Sequence, residues 1–234
     1  MKIRPKALKL ASGDPRAESV SAVIDLPERP RGHGLMLTHG SGSDLASRGL
    51  TALSQGVARQ GHPSVRFNLP YREQGAAFPP AAEKSVPAFT RIAAGARAKL
   101  GPRRQWIVGG RSYGARVASM AVAEGLPAKG LVFYSYPLHP PGKLQELRVA
   151  HWPRITVPCL FLQGTDDEFC DLALLVTHVT QLGAPATIHV VDGGDHALQV
   201  PAAKDRARRE EEETLETLAR VVAKWIAALD RPAP

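Results

Sequence analysis

The sequence has few cysteines and no long apolar segment, and each shortage excludes a class of protein. Only two of the 234 residues are cysteines, Cys159 and Cys170, so we expect neither a disulfide framework nor a redox pair. No apolar run is long enough to span a bilayer, and the basic N-terminal residues are not followed by the apolar stretch of a signal peptide. We therefore expect a cytoplasmic protein that does not enter a membrane.

Acidic residues are outnumbered by basic ones, which raises the question of nucleic-acid binding. The net charge is +8, but the basic residues are scattered along the chain. Short basic clusters occur at residues 1–9 and 206–209, and the second runs directly into four glutamates. No zinc-finger spacing, helix-turn-helix pattern or motif of stacking aromatics accompanies them. We therefore expect a solvated basic surface and no nucleic-acid partner.

Histidine and glycine do not occur at the spacings that bind metals or phosphates. The eight histidines are dispersed, and none forms a ligand pair with helical spacing. No glycine-rich segment is followed by the Gly-Lys-Ser/Thr of a phosphate loop. His39 follows a predicted strand, where we expect its ring to bond to the backbone. The sequence therefore predicts no metal site and no cofactor.

Apolar runs alternate with helical patterns along the chain, which is typical of a mostly parallel sheet with helices on both faces. Apolar residues make up 44% of the sequence, enough for a sizeable core, and no linker divides it. We expect a single α/β domain over residues 1–234, with flexible ends at 1–15 and 231–234. The predicted strands are 34–38, 64–67, 106–109, 130–134, 157–162 and 187–191, and the predicted helices lie around 50–57, 89–100, 115–123, 171–182 and 215–229.

The pentapeptide GRSYG at residues 110–114 lies between a predicted strand and a predicted helix. A strand that leads through a tight, glycine-flanked turn into a helix is the setting of a nucleophile elbow. Small flanking residues let the strand and the helix approach each other, and the helix N-terminus directs free N–H groups at developing negative charge. The pattern predicts Ser112 as a nucleophile.

A serine nucleophile needs a base that takes its proton and an acid that orients the base. In hydrolases built on this elbow, the order along the chain is serine, acid, histidine. The predicted strand 157–162 is followed by Asp166 and Asp167, and the strand 187–191 is followed by His196. The order predicts His196 as the base and leaves two adjacent carboxylates for the acid.

Attack by the serine creates an oxyanion, which backbone N–H groups usually stabilise. One donor is the residue after the nucleophile, here Tyr113, and another comes from the loop after an early strand. The strand 34–38 leads into the small-residue segment HGSGS at 39–43, whose backbone can approach a ligand closely. We expect the second donor to be the backbone of Ser41, with Gly42 as the alternative.

Four motifs together resemble those of an alpha/beta-hydrolase, in particular the small lidless branch near the dienelactone hydrolases. They are HGSG at 39–42, GRSYG at 110–114, GTDD at 164–167 and GGDH at 193–196. The segment FNLPY at 67–71 resembles a strand-end motif of that branch, whose relatives include testis-expressed hydrolase-like proteins and a scaffolding subunit of a histone acetyltransferase complex. The resemblance runs from Val20 to Leu229 and implies about seven or eight mostly parallel strands and no large lid.

The same resemblance implies a catalytic triad of Ser112, Asp167 and His196. Asp167 is preferred as the acid because its Gly-x-x-Asp spacing from Gly164 matches the family. The branch often has a basic residue, Asp and Pro at this place, whereas this chain has two aspartates followed by a glutamate. Asp166 therefore stays as the alternative acid.

Two segments, 69–86 and 136–158, are expected to form walls of the cleft. Phe78 and Trp152 are candidates for apolar contacts with a substrate. Arginines near the nucleophile would favour substrates with a carboxylate or phosphate on the acyl side, although the preferred interpretation of Arg111 is that it points away and pairs with a surface acid. The predicted substrate-binding residues are Gly42, Tyr71, Arg72 and Arg111.

Taken together, the motifs predict an enzyme that cleaves a small-molecule carboxylic ester or thioester through an acyl-enzyme, acting as a monomer or homodimer. The alternative is a catalytically idle hydrolase fold that serves as a binding or scaffolding module. A binding module has no need of a nucleophile, an acid, a base and an oxyanion loop together. Since all four are present, the sequence favours catalysis, although a fold by itself does not determine a function.

Overall fold

The computed structural model describes residues 1–201 and 204–230, and there it contains eight strands and six α-helices. The strands are β1 (Ile3–Asp14), β2 (Ala17–Pro27), β3 (Gly34–Thr38), β4 (Ser64–Phe67), β5 (Trp106–Arg111), β6 (Gly130–Tyr134), β7 (Cys159–Gly164) and β8 (Ala186–Val191). The helices are α1 (Arg48–Arg59), α2 (Pro70–Glu73), α3 (Ala82–Leu100), α4 (Tyr113–Ala123), α5 (Leu172–His178) and α6 (Lys204–Leu229). Short 3-10 helices occupy Trp152–Arg154 and Val179–Gln181.

All eight strands form one sheet in the order β1-β2-β4-β3-β5-β6-β7-β8. The six strands from β4 to β8 in this order are parallel, and β2 and β1 extend the sheet antiparallel beyond β4. The mostly parallel sheet expected from the alternating pattern is therefore confirmed. The part of the chain that the structure describes contains no separate lid domain.

Side chains that alternate along the central strands contact helices on opposite faces of the sheet. Met36 of β3 belongs to a core with α3 and α4, whereas its neighbours Leu35 and Leu37 belong to a core with α1 and α6. In β5, Val108 belongs to the core with α3 and α4, and Ile107 belongs to the core with α1 and α6. Because successive side chains of a strand point to opposite faces, both faces of the sheet are covered by helices. The expected helices on both sides of the sheet are therefore confirmed.

The N-terminal segment differs from the expectation of a flexible end at residues 1–15. Residues 3–14 form β1, which pairs with β2 from Ile3 opposite Pro27 to Asp14 opposite Ala17. Leu10 is fully buried, while most other side chains of this edge strand are exposed, so the amphipathic signal is weak. Residues 231–234 lie outside the described residues.

The carboxyl ends of the parallel strands lie at one edge of the sheet, and the loops that leave them carry the predicted site residues. The loop after β3 carries the HGSG motif, β5 ends at the elbow, and the loops after β7 and β8 carry GTDD and GGDH. Cys159 and Cys170 are both buried and form no disulfide. Across residues 1–201 and 204–230, no helix has the length and apolar character to cross a membrane.

Candidate active site

Ser112 lies at the turn between β5 and α4 with a strained backbone. Its φ of 49° and ψ of −114° fall in a region that L-residues rarely adopt. The flanking glycines are required by close packing against the end of β3. A Cβ atom on Gly114 would lie 2.5 Å from the carbonyl oxygen of His39, and one on Gly110 would lie 2.8 Å from that of Thr38. The elbow thus presents the hydroxyl at the edge of the sheet.

Ser112, His196 and Asp167 form a continuous chain of hydrogen bonds. The Nε2 atom of His196 is 2.7 Å from the Ser112 hydroxyl oxygen. Its Nδ1 atom is 2.8 Å from each carboxylate oxygen of Asp167, which is buried. With the proton on Nδ1 donated to Asp167, Nε2 is free to accept the serine proton, which is the arrangement that a general base requires.

The structure distinguishes the two adjacent aspartates. Asp167 points inward to His196, whereas the exposed Asp166 accepts a hydrogen bond of 2.9 Å from the Thr165 hydroxyl. The backbone N–H of Asp166 donates to the carbonyl oxygen of Gly194, which joins the acid loop to the histidine loop. This close contact of the two loops fixes which carboxylate reaches the imidazole.

Buried polar contacts hold the loop after β3 in place. The Nε2 atom of His39 accepts the backbone N–H of Leu69 at 3.0 Å, and Nδ1–H donates to the Gly40 carbonyl at 2.8 Å. The Tyr71 hydroxyl donates to the Ser41 carbonyl at 2.9 Å. Burial lowers the pKa of His39 to about 4, so its ring stays neutral. In a trans peptide the N–H points opposite to the carbonyl, so these bonds orient the N–H groups of Ser41 and Gly42.

A cavity of about 520 Å³ opens above Ser112. Of the four predicted binding residues, Gly42 and Arg111 line this cavity, whereas Tyr71 and Arg72 do not. Tyr71 is buried behind the HGSG loop, and Arg72 donates to the Ala76 carbonyl instead. The residues that line the cavity are Gly40, Ser41, Gly42, Ser43, Arg111, Ser112, Tyr113, Arg116, Pro137, Arg148, Phe169 and His196.

The preferred interpretation of Arg111, that it points away and pairs with a surface acid, is wrong. Its guanidinium carbon lies 5.8 Å from the centre of the Tyr134 ring, and the side chain lines the cavity. Within the described ranges, no carboxylate lies within ion-pair distance of it. Because β5 ends at this residue, the turn directs its side chain along the carboxyl edge of the sheet.

The two predicted aromatic contacts do not line the cavity either. Phe78 is 85% exposed, and the segment 69–86 contributes no lining residue. Trp152 is fully buried among other aromatic rings, and its Nε1–H donates to the Tyr136 hydroxyl. The segment 136–158 does form a wall, but through Pro137 and Arg148.

The chain matches the model of a known family, described as an alpha/beta hydrolase domain, over residues 31–227. The chain belongs to the alpha/beta-hydrolase family. The family resemblance expected from the four motifs is therefore confirmed. The match begins after the N-terminal hairpin and covers the elbow, the acid loop and the histidine loop.

Several solved structures have a fold similar to that of this chain. A dienelactone hydrolase from Anabaena variabilis has a TM-score of 0.74 and 16% identity, over 99% of this chain and 100% of that chain. A serine hydrolase without a lid from Xanthomonas campestris has a TM-score of 0.68 and 19% identity, over 99% and 97%. Est1E from Butyrivibrio proteoclasticus has a TM-score of 0.68 and 16% identity, over 95% and 98%. At these identities the likeness is one of fold.

Two residues beside the hydrogen-bonded chain of Ser112, His196 and Asp167 were not predicted from the sequence. The Nε2 amide of Gln163, fully buried at the end of β7, donates to Asp167 at 2.6 Å, and its Oε1 accepts the Tyr136 N–H. The ring of Phe169 packs on His196 with centroids 4.4 Å apart. A single polar side chain in an otherwise apolar strand was the available signal for Gln163, because buried amides require partners. Phe169 carried no such signal.

Proposed function

We propose that this alpha/beta hydrolase is a serine hydrolase that cleaves a small carboxylic ester or thioester through a covalent acyl-enzyme. The observation that carries the proposal is the hydrogen-bond chain from the Ser112 hydroxyl through His196 to the buried Asp167. Ser112 and His196 line a cavity that is large enough for a small ligand. Est1E, one of the structural neighbours, has been solved with ferulic acid bound.

The first half of the reaction transfers the acyl group to the enzyme. The Ser112 oxygen attacks the substrate carbonyl carbon while His196 Nε2 takes the hydroxyl proton. Asp167 stabilises the imidazolium that forms and keeps its orientation. The tetrahedral intermediate then collapses, the bond to the alcohol or thiol breaks, and His196 gives its proton to that leaving group.

The second half releases the acid. Water attacks the acyl carbonyl while His196 accepts one of its protons, and the second tetrahedral intermediate expels the Ser112 oxygen. The imidazolium returns the proton to that oxygen, so the carboxylic acid leaves and the free enzyme is restored.

The oxyanion of both intermediates would bind to the N–H groups of Ser41 and Tyr113. Both residues line the cavity with Ser112, and Tyr113 is the first residue of α4. The N–H groups of a helix N-terminus lack internal partners and favour negative charge. Gly42 remains the alternative second donor, since it also lines the cavity.

The test is labelling with a fluorophosphonate probe, followed by hydrolysis of 4-nitrophenyl butyrate. We expect the wild-type protein to be labelled and active, and Ser112→Ala and His196→Ala to lose both properties. Asp167→Asn should lose most activity, whereas Asp166→Asn, a matched change at the exposed neighbour, should keep it. A folded wild-type protein that is neither labelled nor active would overturn the proposal and favour the binding-module alternative.

A further inference from the structure

The cavity above Ser112 carries an unusual excess of positive charge. Three of its lining residues are arginines, Arg111, Arg116 and Arg148, and none is an aspartate or glutamate. The three come from separate parts of the chain: the end of β5, the first turns of α4, and the long segment between β6 and β7. Their convergence is therefore a feature of the fold and not of a local basic run.

Arg116 lies one helical turn after Ser112, on the same side of α4. Its backbone N–H donates to the Ser112 carbonyl, which places its side chain beside the nucleophile. One guanidinium nitrogen of Arg116 contacts Glu83 at 2.8 Å, and that carboxylate is 54% exposed. The Nε atom of Arg116 is buried and has no hydrogen-bond partner in the described part of the chain.

Arg148 stands close enough to Arg116 for the two charges to repel each other. Burial lowers the pKa of Arg148, and the charge of Arg116 lowers it further. The side chain is half-buried, and its Nη1 atom donates to the Pro137 carbonyl at 3.2 Å, which holds the guanidinium in the cavity wall. Arg116 pairs with one exposed carboxylate, that of Glu83, and the charge of Glu146 offsets part of the effect of Arg116 on the pKa of Arg148. Among the described residues, Arg148 itself forms no ion pair.

Arg111 adds a third cation on the side of the elbow. Its Nε atom is buried and, within residues 1–201 and 204–230, has no hydrogen-bond partner. Guanidinium groups bind carboxylates and phosphates through two parallel hydrogen bonds, and these bonds are stronger where water is partly excluded. A negatively charged ligand group in the cavity would pair with these cations and relieve the repulsion between them.

We propose that Arg116 and Arg148, with Arg111, form an anion subsite, so that the substrate carries a carboxylate or phosphate group in addition to its scissile ester. The ester part of this inference rests on the proposed hydrolase function, whereas the anion subsite depends only on the arginines that line the cavity. Neutral alkyl esters would then be poor substrates compared with esters of the same length that end in an anion.

Two esters of equal length test the subsite by turnover. Mono-4-nitrophenyl adipate ends in a carboxylate, and its methyl ester is the neutral counterpart. We expect the wild-type kcat/KM to be about tenfold or more higher for the acid, as a charge-assisted hydrogen bond provides. A ratio near one in the wild-type protein would overturn the inference.

Substitutions of the arginines test whether these residues cause the preference for the anionic ester. Arg148→Gln and Arg116→Gln should each reduce the ratio of the two kcat/KM values about tenfold. Arg154→Gln removes the same charge from an exposed position nearby in the chain and should keep the ratio. Because both esters are measured in one preparation, a smaller folded fraction does not alter the ratio. An unchanged ratio in both cavity variants would contradict the inference.

Binding to Ser112→Ala separates this inference from the hydrolase proposal. This variant lacks the nucleophile, so monomethyl adipate and dimethyl adipate can be compared by calorimetric titration whether or not the wild-type protein is an enzyme. We expect the monoanion to bind more tightly, with Arg148→Gln removing the difference. Competition by inorganic phosphate or acetate then shows which anion the subsite prefers. Equal affinity for both adipates would overturn the anion subsite alone.

Discussion

The side-chain amide of Gln163 donates a hydrogen bond of 2.6 Å to Oδ2 of Asp167. The other oxygen of this carboxylate, Oδ1, accepts the backbone N–H of Phe169 at 2.9 Å. Asp167 is thus held on both sides, and both of its oxygens also lie 2.8 Å from His196 Nδ1. Because the His196 imidazole is hydrogen-bonded to this carboxylate, the amide of Gln163 helps to set the position of the ring.

Gln163→Leu should lower kcat for an ester substrate by about tenfold and change KM little, because the lost bond acts on the base and not on substrate binding. Steady-state kinetics per folded enzyme provide the measurement. Gln181→Leu, at an exposed position, is the matched control and should keep both constants. A loss confined to KM would contradict a positioning role for Gln163.

Gly114→Ala should lower the free energy of unfolding by about 2 kcal/mol or more, because the new methyl group meets the backbone of His39 and neither element can move freely. Gly95→Ala is the matched control inside α3, where a Cβ would meet nothing within 4 Å. It should stabilise the protein by about 0.5–1 kcal/mol through helix propensity. Urea unfolding of the two variants gives the comparison, and equal effects would contradict the close-packed elbow.

Much of the sheet and of the hydrolase motifs could be predicted from the sequence, because most of the parallel strands are local apolar runs and the motifs lie at or after the ends of β3, β5, β7 and β8. The spacing from Gly164 favoured Asp167 but kept Asp166 as the alternative, because the contact with the Gly194 loop, which a local pattern does not show, determines which aspartate turns inward. Arg116 and Arg148 meet through long-range folding, so no local signal joins them. The N-terminal hairpin was missed because β1 is an edge strand with few buried side chains.

Tyr71→Phe should lower kcat several-fold while the protein stays folded. The hydroxyl holds the Ser41 carbonyl at 2.9 Å, and without it the N–H groups of the HGSG loop lose part of their fixed direction. The comparison of kcat and KM for wild type and variant, with a urea unfolding curve for each, is the measurement. A variant with full kcat would show that His39 alone is enough to orient this loop.

Glu73 joins the N-terminal hairpin to the segment that carries the HGSG contacts. Its carboxylate accepts hydrogen bonds from Lys9 at 2.6 Å, Ser21 at 2.7 Å and Asn68 at 3.0 Å. Burial alone would raise the pKa of Glu73, but these three donors lower it from 4.5 to about 2. A carboxyl group whose pKa is lower in the folded state stabilises the protein fully above its unfolded pKa, and this contribution is lost as the pH falls through the folded value.

Glu73→Gln should therefore lower the free energy of unfolding by about 1–2 kcal/mol at pH 7, and the difference from wild type should narrow below pH 4.5. Urea unfolding at pH 7, 4 and 3 measures this difference. Glu124→Gln, at an exposed position after α4, is the matched control and should change stability little at any of these pH values. A difference for Glu73→Gln that is constant with pH would mean that the ionised carboxylate stabilises the fold no more than the protonated carboxyl group does. The hairpin would then be held to the sheet by its strand pairing and by buried residues such as Leu10.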